Sequence, residues 1–155
     1  MLRQLFMGVG ISACTIVIHA LMMETVVSVA YAVVLKRIWW PWLHLAAVMI
    51  ATVLLLMVAH IGEVIVWALA YAVVDLAPDG TDLVYFAFVN YTTLGYGDVI
   101  PAKRWLLLGP VTAMNGVLLF GWSTAVIFQV LRRAMLYTAP HLLLNTDLPR
   151  NDFDR

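Results

Sequence analysis

Apolar positions fall along this chain in long, nearly unbroken blocks rather than in the short alternations of a soluble fold. The first block covers residues 5–35 and ends at Lys36 and Arg37. The second covers 45–74 and stops in DLAPDGTD, residues 75–82, and the third covers 105–131 and ends at Arg132 and Arg133. About 20 apolar residues in helical form cross a hydrocarbon core of roughly 30 Å, so each block predicts a membrane-spanning helix. IWWPWLH, residues 38–44, sets tryptophans beside a proline and two cations, as a membrane–water boundary favours. Pro78, Gly80 and three aspartates make residues 75–82 an aqueous turn.

Between the second and third blocks lies TDLVYFAFVNYTTLGYGDVIPAKR. Its apolar part, 83–91, is too short to span, covering at helical rise only about half of the hydrocarbon thickness. Thr81 or Asp82 can cap its start. A short helix and a glycine-bearing loop flanked by two full spans predict a re-entrant segment. Such backbone survives at membrane depth only when buried in protein or lining a watery path. The expected class is therefore an all-α membrane protein with three transmembrane helices and a re-entrant helix and loop.

Composition agrees. The chain has 155 residues, 64% of them hydrophobic and 12% charged, with zero formal net charge and a mean hydropathy of +0.94. A soluble domain carries about 25% charged residues. With Cys14 alone there is no intrachain disulfide, and no basic block points to nucleic acid. Arg3 ahead of an apolar stretch also fits a secretory leader. The stretch is longer than a typical leader core and lacks a small-x-small cleavage site before Glu24, so a retained helix is expected.

TTLGYGD, residues 92–98, carries the candidate chemistry. Successive carbonyls of an ordinary strand point to opposite sides. They face one axis only when residues alternate between normal and left-handed backbone, which glycine adopts without steric cost. Gly95 and Gly97 permit that alternation. The carbonyls of Thr93, Leu94, Gly95 and Tyr96, with the Thr93 hydroxyl below them, would then form oxygen cages for a dehydrated cation.

This run of threonine, aliphatic residue, glycine, tyrosine, glycine and aspartate resembles the selectivity filter of the potassium channels, with Leu94 where valine is commonest. The resemblance implies a homotetrameric potassium-channel fold, with K+ held at Thr93, Leu94, Gly95 and Tyr96 and Gly97 completing the filter. YFAFVN is similar to the family's pore helix. Tyr96 is then expected to pack into a collar of Tyr85, Phe86 and Phe88, with Thr92 supporting the filter and Tyr85 donating to Asp98. Val89 stands where some members have a glutamate, so no carboxylate pair is expected behind the filter. MNGVLLFGWSTA, residues 114–125, looks like the inner helix: Gly116 matches its hinge and Gly121 permits close helix approach. Val117, Phe120 and Thr124 would face the cavity, and Phe128 would form a hydrophobic constriction. Small-residue helix packing alone is the competing use of both glycines.

The resemblance divides the chain into an additional N-terminal helix (1–37), an interfacial linker (38–44), a pore domain (45–133) and a short cytoplasmic tail (134–155). Within the pore domain lie an outer helix (45–74), pore helix (82–92), filter (93–98) and inner helix (105–133). The whole is similar to small bacterial pore-only channels, which implies a bacterial inner membrane. The filter mouth then faces outward with Asp75, Asp79, Asp82 and Asp98, and Lys36, Arg37, Arg132 and Arg133 lie inside. Parity puts Met1 outside, to which Arg3 is a mild objection; a first helix lying along the inner interface is the alternative. The outer aspartates would concentrate cations, partly offset by Lys103 and Arg104. The implied activity is passive potassium conduction without enzymatic chemistry or cofactor, K+ being the transported ion. The alternatives are a poorly selective cation channel and a non-conducting subunit or scaffold. No arginine repeat marks a voltage sensor, which leaves room for an unidentified regulatory partner.

Four ionisable residues lie inside the apolar blocks: His19 and Glu24 in the first, His60 and Glu63 in the second. Such groups are costly at membrane depth and pair with something. His60 and Glu63 share a face at i, i+3, and antiparallel helices put His19 and His60 at similar depth, so His19 is expected to meet His60 or Glu63. A structural hydrogen-bonded pair, a proton sensor and a metal site are all compatible with that cluster. Asn115 is expected to make an interhelical hydrogen bond, with a bias of the cavity toward cations as the alternative.

Overall fold

The computed structural model describes residues 1–34 and 40–138. Lys36, Arg37, the start of the tryptophan segment and the tail beyond 138 lie outside the described residues. Four α-helices follow one another: α1 (Leu2–Val34), α2 (Pro41–Val73), α3 (Leu83–Tyr91) and α4 (Leu108–Thr138), with a 3₁₀ turn at Lys103–Trp105 ahead of α4. Three helices among the described residues, α1, α2 and the one ending the chain's third block, are long and apolar enough to cross a membrane. At helical rise α1 and α2, 33 residues each, are about 50 Å long. That exceeds the hydrocarbon thickness and leaves room for tilt and for interfacial ends.

Local chemistry sets the boundaries. α2 begins at Pro41 rather than at 45, because proline at the first helical position loses only an N–H that would be unpaired anyway. Residues 41–44, expected in the linker, therefore belong to the helix, with Trp42 exposed near its start. α2 ends at a left-handed Asp75 (φ 52°), with the Leu76 N–H returning to the Tyr71 carbonyl at 3.1 Å. Ala102 N–H then bonds the Leu76 carbonyl at 2.8 Å, tying the segment after the filter loop to the end of α2. In α4, Pro110 sits in the first turn, where its missing N–H costs nothing, and the helix runs on past Arg133 to Thr138.

α1 packs on both α2 and α4, and α3 is wedged between α2 and α4. At the end where α4 begins, the Arg3 guanidinium lies 5.3 Å from the Trp105 ring centroid, and Gln4 Oε1 accepts from the Leu107 N–H at 3.0 Å. At the other end Arg133 lies 5.0 Å from the Tyr31 ring. α1 therefore runs parallel to α4 and antiparallel to α2 along the bundle, not flat at one end of it. Arg3 is accommodated by stacking on an aromatic face.

The core is layered along the bundle axis. One apolar cluster, centred on Trp67, Tyr71, Phe86, Trp105 and Leu108, lies at the loop end. A second, around Met23, Val26, Val48, Leu56 and Val130, lies toward the opposite end. Between them along the helices runs a belt of buried polar side chains: Thr15 and His19 of α1, Glu63 of α2, Asn115 and Ser123 of α4.

Candidate functional site

The loop is launched by α3. Of the two expected caps it is Asp82 that acts, its carboxylate accepting from the N–H groups of Val84 at 3.0 Å and Tyr85 at 3.1 Å. At the other end the last carbonyls turn back on the loop: Asn90 O accepts from Thr93 N–H at 3.0 Å and Val89 O from Leu94 N–H at 2.9 Å. Beyond that point the backbone has positive φ at every second residue: Thr93 (60°), Gly95 (56°) and Gly97 (76°). Leu94 and Tyr96 fall between them. Such alternation is the backbone pattern that permits successive carbonyls to face a common side. Two of the three positions are glycines. Thr93 bears the cost of a β-carbon there, about 1–2 kcal/mol, and its hydroxyl donates to the Thr92 carbonyl at 2.6 Å. Thr92 in turn donates to Phe88 O at 2.7 Å.

Behind the loop, Tyr85 donates to Asp98 Oδ2 at 2.8 Å, and that hydrogen bond pushes the Tyr85 phenol above its ordinary value. The expected collar does not assemble within one chain. Phe86 turns into the core, its ring 5.6 Å from Tyr71, whereas Tyr85, Phe88 and Tyr96 are exposed. The reason is the helical turn of about 100° per residue, which sends Tyr85 and Phe86 to different faces of α3.

On α4, Gly116 is buried against the end of α3; a β-carbon there would collide with the Tyr91 carbonyl. The helix continues through Gly116 without interruption. Val117, Gly121, Thr124 and Phe128 recur at helical spacing as one exposed stripe, and open space surrounds Gly121. Phe120 lies beside that stripe, 4.5 Å from the His60 ring and 5.4 Å from Tyr91. Asn115 makes interhelical bonds on both sides: its Oδ1 lies 2.9 Å from Thr15 Oγ1 and accepts from Trp67 Nε1–H at 3.0 Å.

The intramembrane histidines and Glu63 come together. His19 Nδ1 lies 2.7 Å from Glu63 Oε1 and His60 Nδ1 3.1 Å from Glu63 Oε2. Glu24 does not join them. It is exposed, because five residues beyond His19 a helix has turned through about 140°. Membership of the same apolar block listed Glu24 with the others; angular position separates it. Two members escaped sequence reasoning. Tyr91, the last residue of α3, donates to Glu63 Oε2, and its hydroxyl lies 2.9 Å from His60 Nδ1. Ser123 Oγ lies 2.9 Å from His60 Nε2 and 3.5 Å from His19 Nε2. The available signal was the polar terminus of each: a phenol closing an apolar pore helix and a serine on the same side of α4 as buried Asn115. The donor atoms of His19, His60 and Glu63 all lie within 4.8 Å of one another.

A short helix held between two spans, presenting an exposed loop of alternating backbone handedness, defines a pore-lining membrane protein. The family model described as ion channel matches residues 54–133, from within α2 through the loop to Arg133, just over half of the 155 residues. The chain belongs to this ion channel family. It is a multi-pass membrane protein of a channel family rather than an enzyme. No curated protein and no solved structure matches the chain.

Proposed function

We propose that the protein is a potassium-selective channel, a homotetramer whose four TTLGYGD loops surround one conduction axis. The observation that carries this reading is the positive φ at Thr93, Gly95 and Gly97, within a sequence that supplies a carbonyl at each step from Thr93 to Tyr96. Carbonyls aimed at one side replace the water shell of a dehydrated K+, and several adjacent sites let ions displace one another through the filter.

One chain supplies one such strand, and one strand cannot surround an ion. Two further features support assembly. Leu94 is 54% and Tyr96 68% exposed in the single chain, and loop backbone at membrane depth needs protein around it. The exposed stripe through Val117, Gly121, Thr124 and Phe128 gives α4 an unfilled face, with Phe128 as the apolar constriction. In this assembly Tyr96 packs against aromatic residues of α3 from neighbouring copies. The loop mouth and the start of α1 face outward and the end of α4 faces the cytoplasm, as the basic residues at 36–37 and 132–133 prefer.

The test is uptake into liposomes containing the purified full-length protein. Potassium uptake with little sodium uptake, abolished by Gly97→Ala, is expected. Equal uptake of both ions would favour a poorly selective cation channel, and no uptake by an intact tetramer a non-conducting subunit.

A further inference from the structure

The geometry of the buried network behind the loop limits how its protons can be arranged. Glu63 and His19 are both fully buried. The carboxylate receives Tyr91 on Oε2 and faces the Nδ1 atom of both imidazoles. Each imidazole aims its other nitrogen, Nε2, at one and the same hydroxyl, Ser123. If both rings were neutral and both donated Nδ1–H to Glu63, both Nε2 atoms would be acceptors. A serine hydroxyl has a single proton and can satisfy only one of them. If one ring is an imidazolium, every group is satisfied.

We propose that His19, Glu63, His60 and Ser123 form a closed hydrogen-bonded ring that is a binding site for one proton, resident chiefly on His19, and that this proton fastens the loop-bearing helix α3 to α1 through the shared carboxylate of Glu63. His19 as imidazolium donates Nδ1–H to Glu63 Oε1 and Nε2–H to Ser123 Oγ. Ser123 donates its proton to His60 Nε2. Neutral His60 donates Nδ1–H to Glu63 Oε2 and to the Tyr91 oxygen, and Tyr91 donates to Glu63 Oε2, so the loop closes with zero net charge.

Although its Nε2 reaches Ser123 at the longer distance, 3.5 Å against 2.9 Å for His60, two observations favour His19 as the charged ring. Its contact with Glu63 is the shorter, 2.7 Å against 3.1 Å, as charge-assisted bonds are. Its ring also lies 5.2 Å from Trp122, whereas His60 faces Phe120; indole is the better cation partner. When His19 passes its Nε2 proton to Ser123 Oγ and Ser123 passes its own proton to His60 Nε2, the charge moves to His60 and the hydroxyl then points at His19, so the ring can relay its proton. The titratable groups facing the site are His19 from α1, His60 and Glu63 from α2 and Tyr91 from α3. The α4 neighbours Phe120, Trp122 and Ser123 carry no charge. Losing the proton leaves an uncompensated buried carboxylate beside Tyr91, and Tyr91 is the residue from which the chain enters Thr92 and Thr93.

The proposal is tested on the full-length protein in lipid, with nitrogen-15-labelled histidine followed by solid-state NMR between pH 5 and 9. His19→Gln and His60→Gln assign the signals. At pH 7 His19 is expected as an imidazolium and His60 as a neutral ring protonated on Nδ1. Ser123→Ala removes the acceptor that the Nε2–H of the charged ring uses, so the His19 imidazolium signal at pH 7 should be weakened or lost. Both rings neutral at pH 7, both charged, or a spectrum that changes when Zn2+ is added or chelated would overturn the proton site. Potassium flux reads the fastening separately. Wild-type flux should change across the pH interval in which the proton leaves, and His19→Gln should remove that change. A pH response kept by His19→Gln overturns the link to the filter. The NMR result stands whether or not the protein conducts potassium.

Discussion

Gly116 of α4 lies directly against the carbonyl of Tyr91, so closely that no β-carbon fits between them. α4 thereby supports α3 at its final residue, while the phenol of that same residue reaches back to Glu63 of α2. Tyr91 is thus held by its backbone from one side and by its side chain from the other. The position of the loop follows from this double attachment.

Gly116→Ala must push α4 and α3 apart or bend one of them. Overpacking of this kind costs about 1–3 kcal/mol. Thermal unfolding of the purified variant should begin at a lower temperature than that of wild type, whereas Gly121→Ala, with open space around it in the single chain, tests the stripe assigned to neighbouring copies and should leave the stability of the separate subunit unchanged.

Tyr91→Phe removes a donor from a carboxylate that is fully buried, which costs about 1–3 kcal/mol. Glu63→Gln removes the charge that Tyr91 serves. The two substitutions share one interaction, so their effects on unfolding should be less than additive. Additive losses would show that Tyr91 and Glu63 act independently.

Tyr85 and Asp98 give a prediction with a definite sign. Because the bond to Asp98 raises the phenol above its ordinary value, the interaction is fully present below the ordinary tyrosine range and is lost only as pH climbs through the raised value. Labelled-tyrosine NMR should show Tyr85 ionising at a higher pH in wild type than in Asp98→Asn. The same titration in both proteins would remove Asp98 as the cause.

The architecture was legible because membrane depth writes itself into run length: three blocks of apolar residues became α1, α2 and α4, and a block too short to cross became α3. The loop was legible at Gly95 and Gly97, since glycine signals left-handed backbone. Thr93 carried no such signal, because a β-branched residue in that conformation is held by its surroundings, not by propensity. That His19 meets His60 or Glu63 followed from depth and the shared i, i+3 face, but the exclusion of Glu24 needed the helix angle. Tyr91 and Ser123 showed only as polar groups among apolar ones, and their partners were not legible. Their partners lie 28 and 63 residues away in the chain, and no local period records a contact made by packing.

The central claim is that the loop of alternating handedness conducts K+ in preference to Na+. The direct measurement is the reversal potential of the purified protein in a planar bilayer with K+ on one side and Na+ on the other. The account predicts a potential set by the potassium gradient and currents that vanish in Gly97→Ala. A reversal potential near zero under the same gradient, or currents that persist in Gly97→Ala, would contradict it.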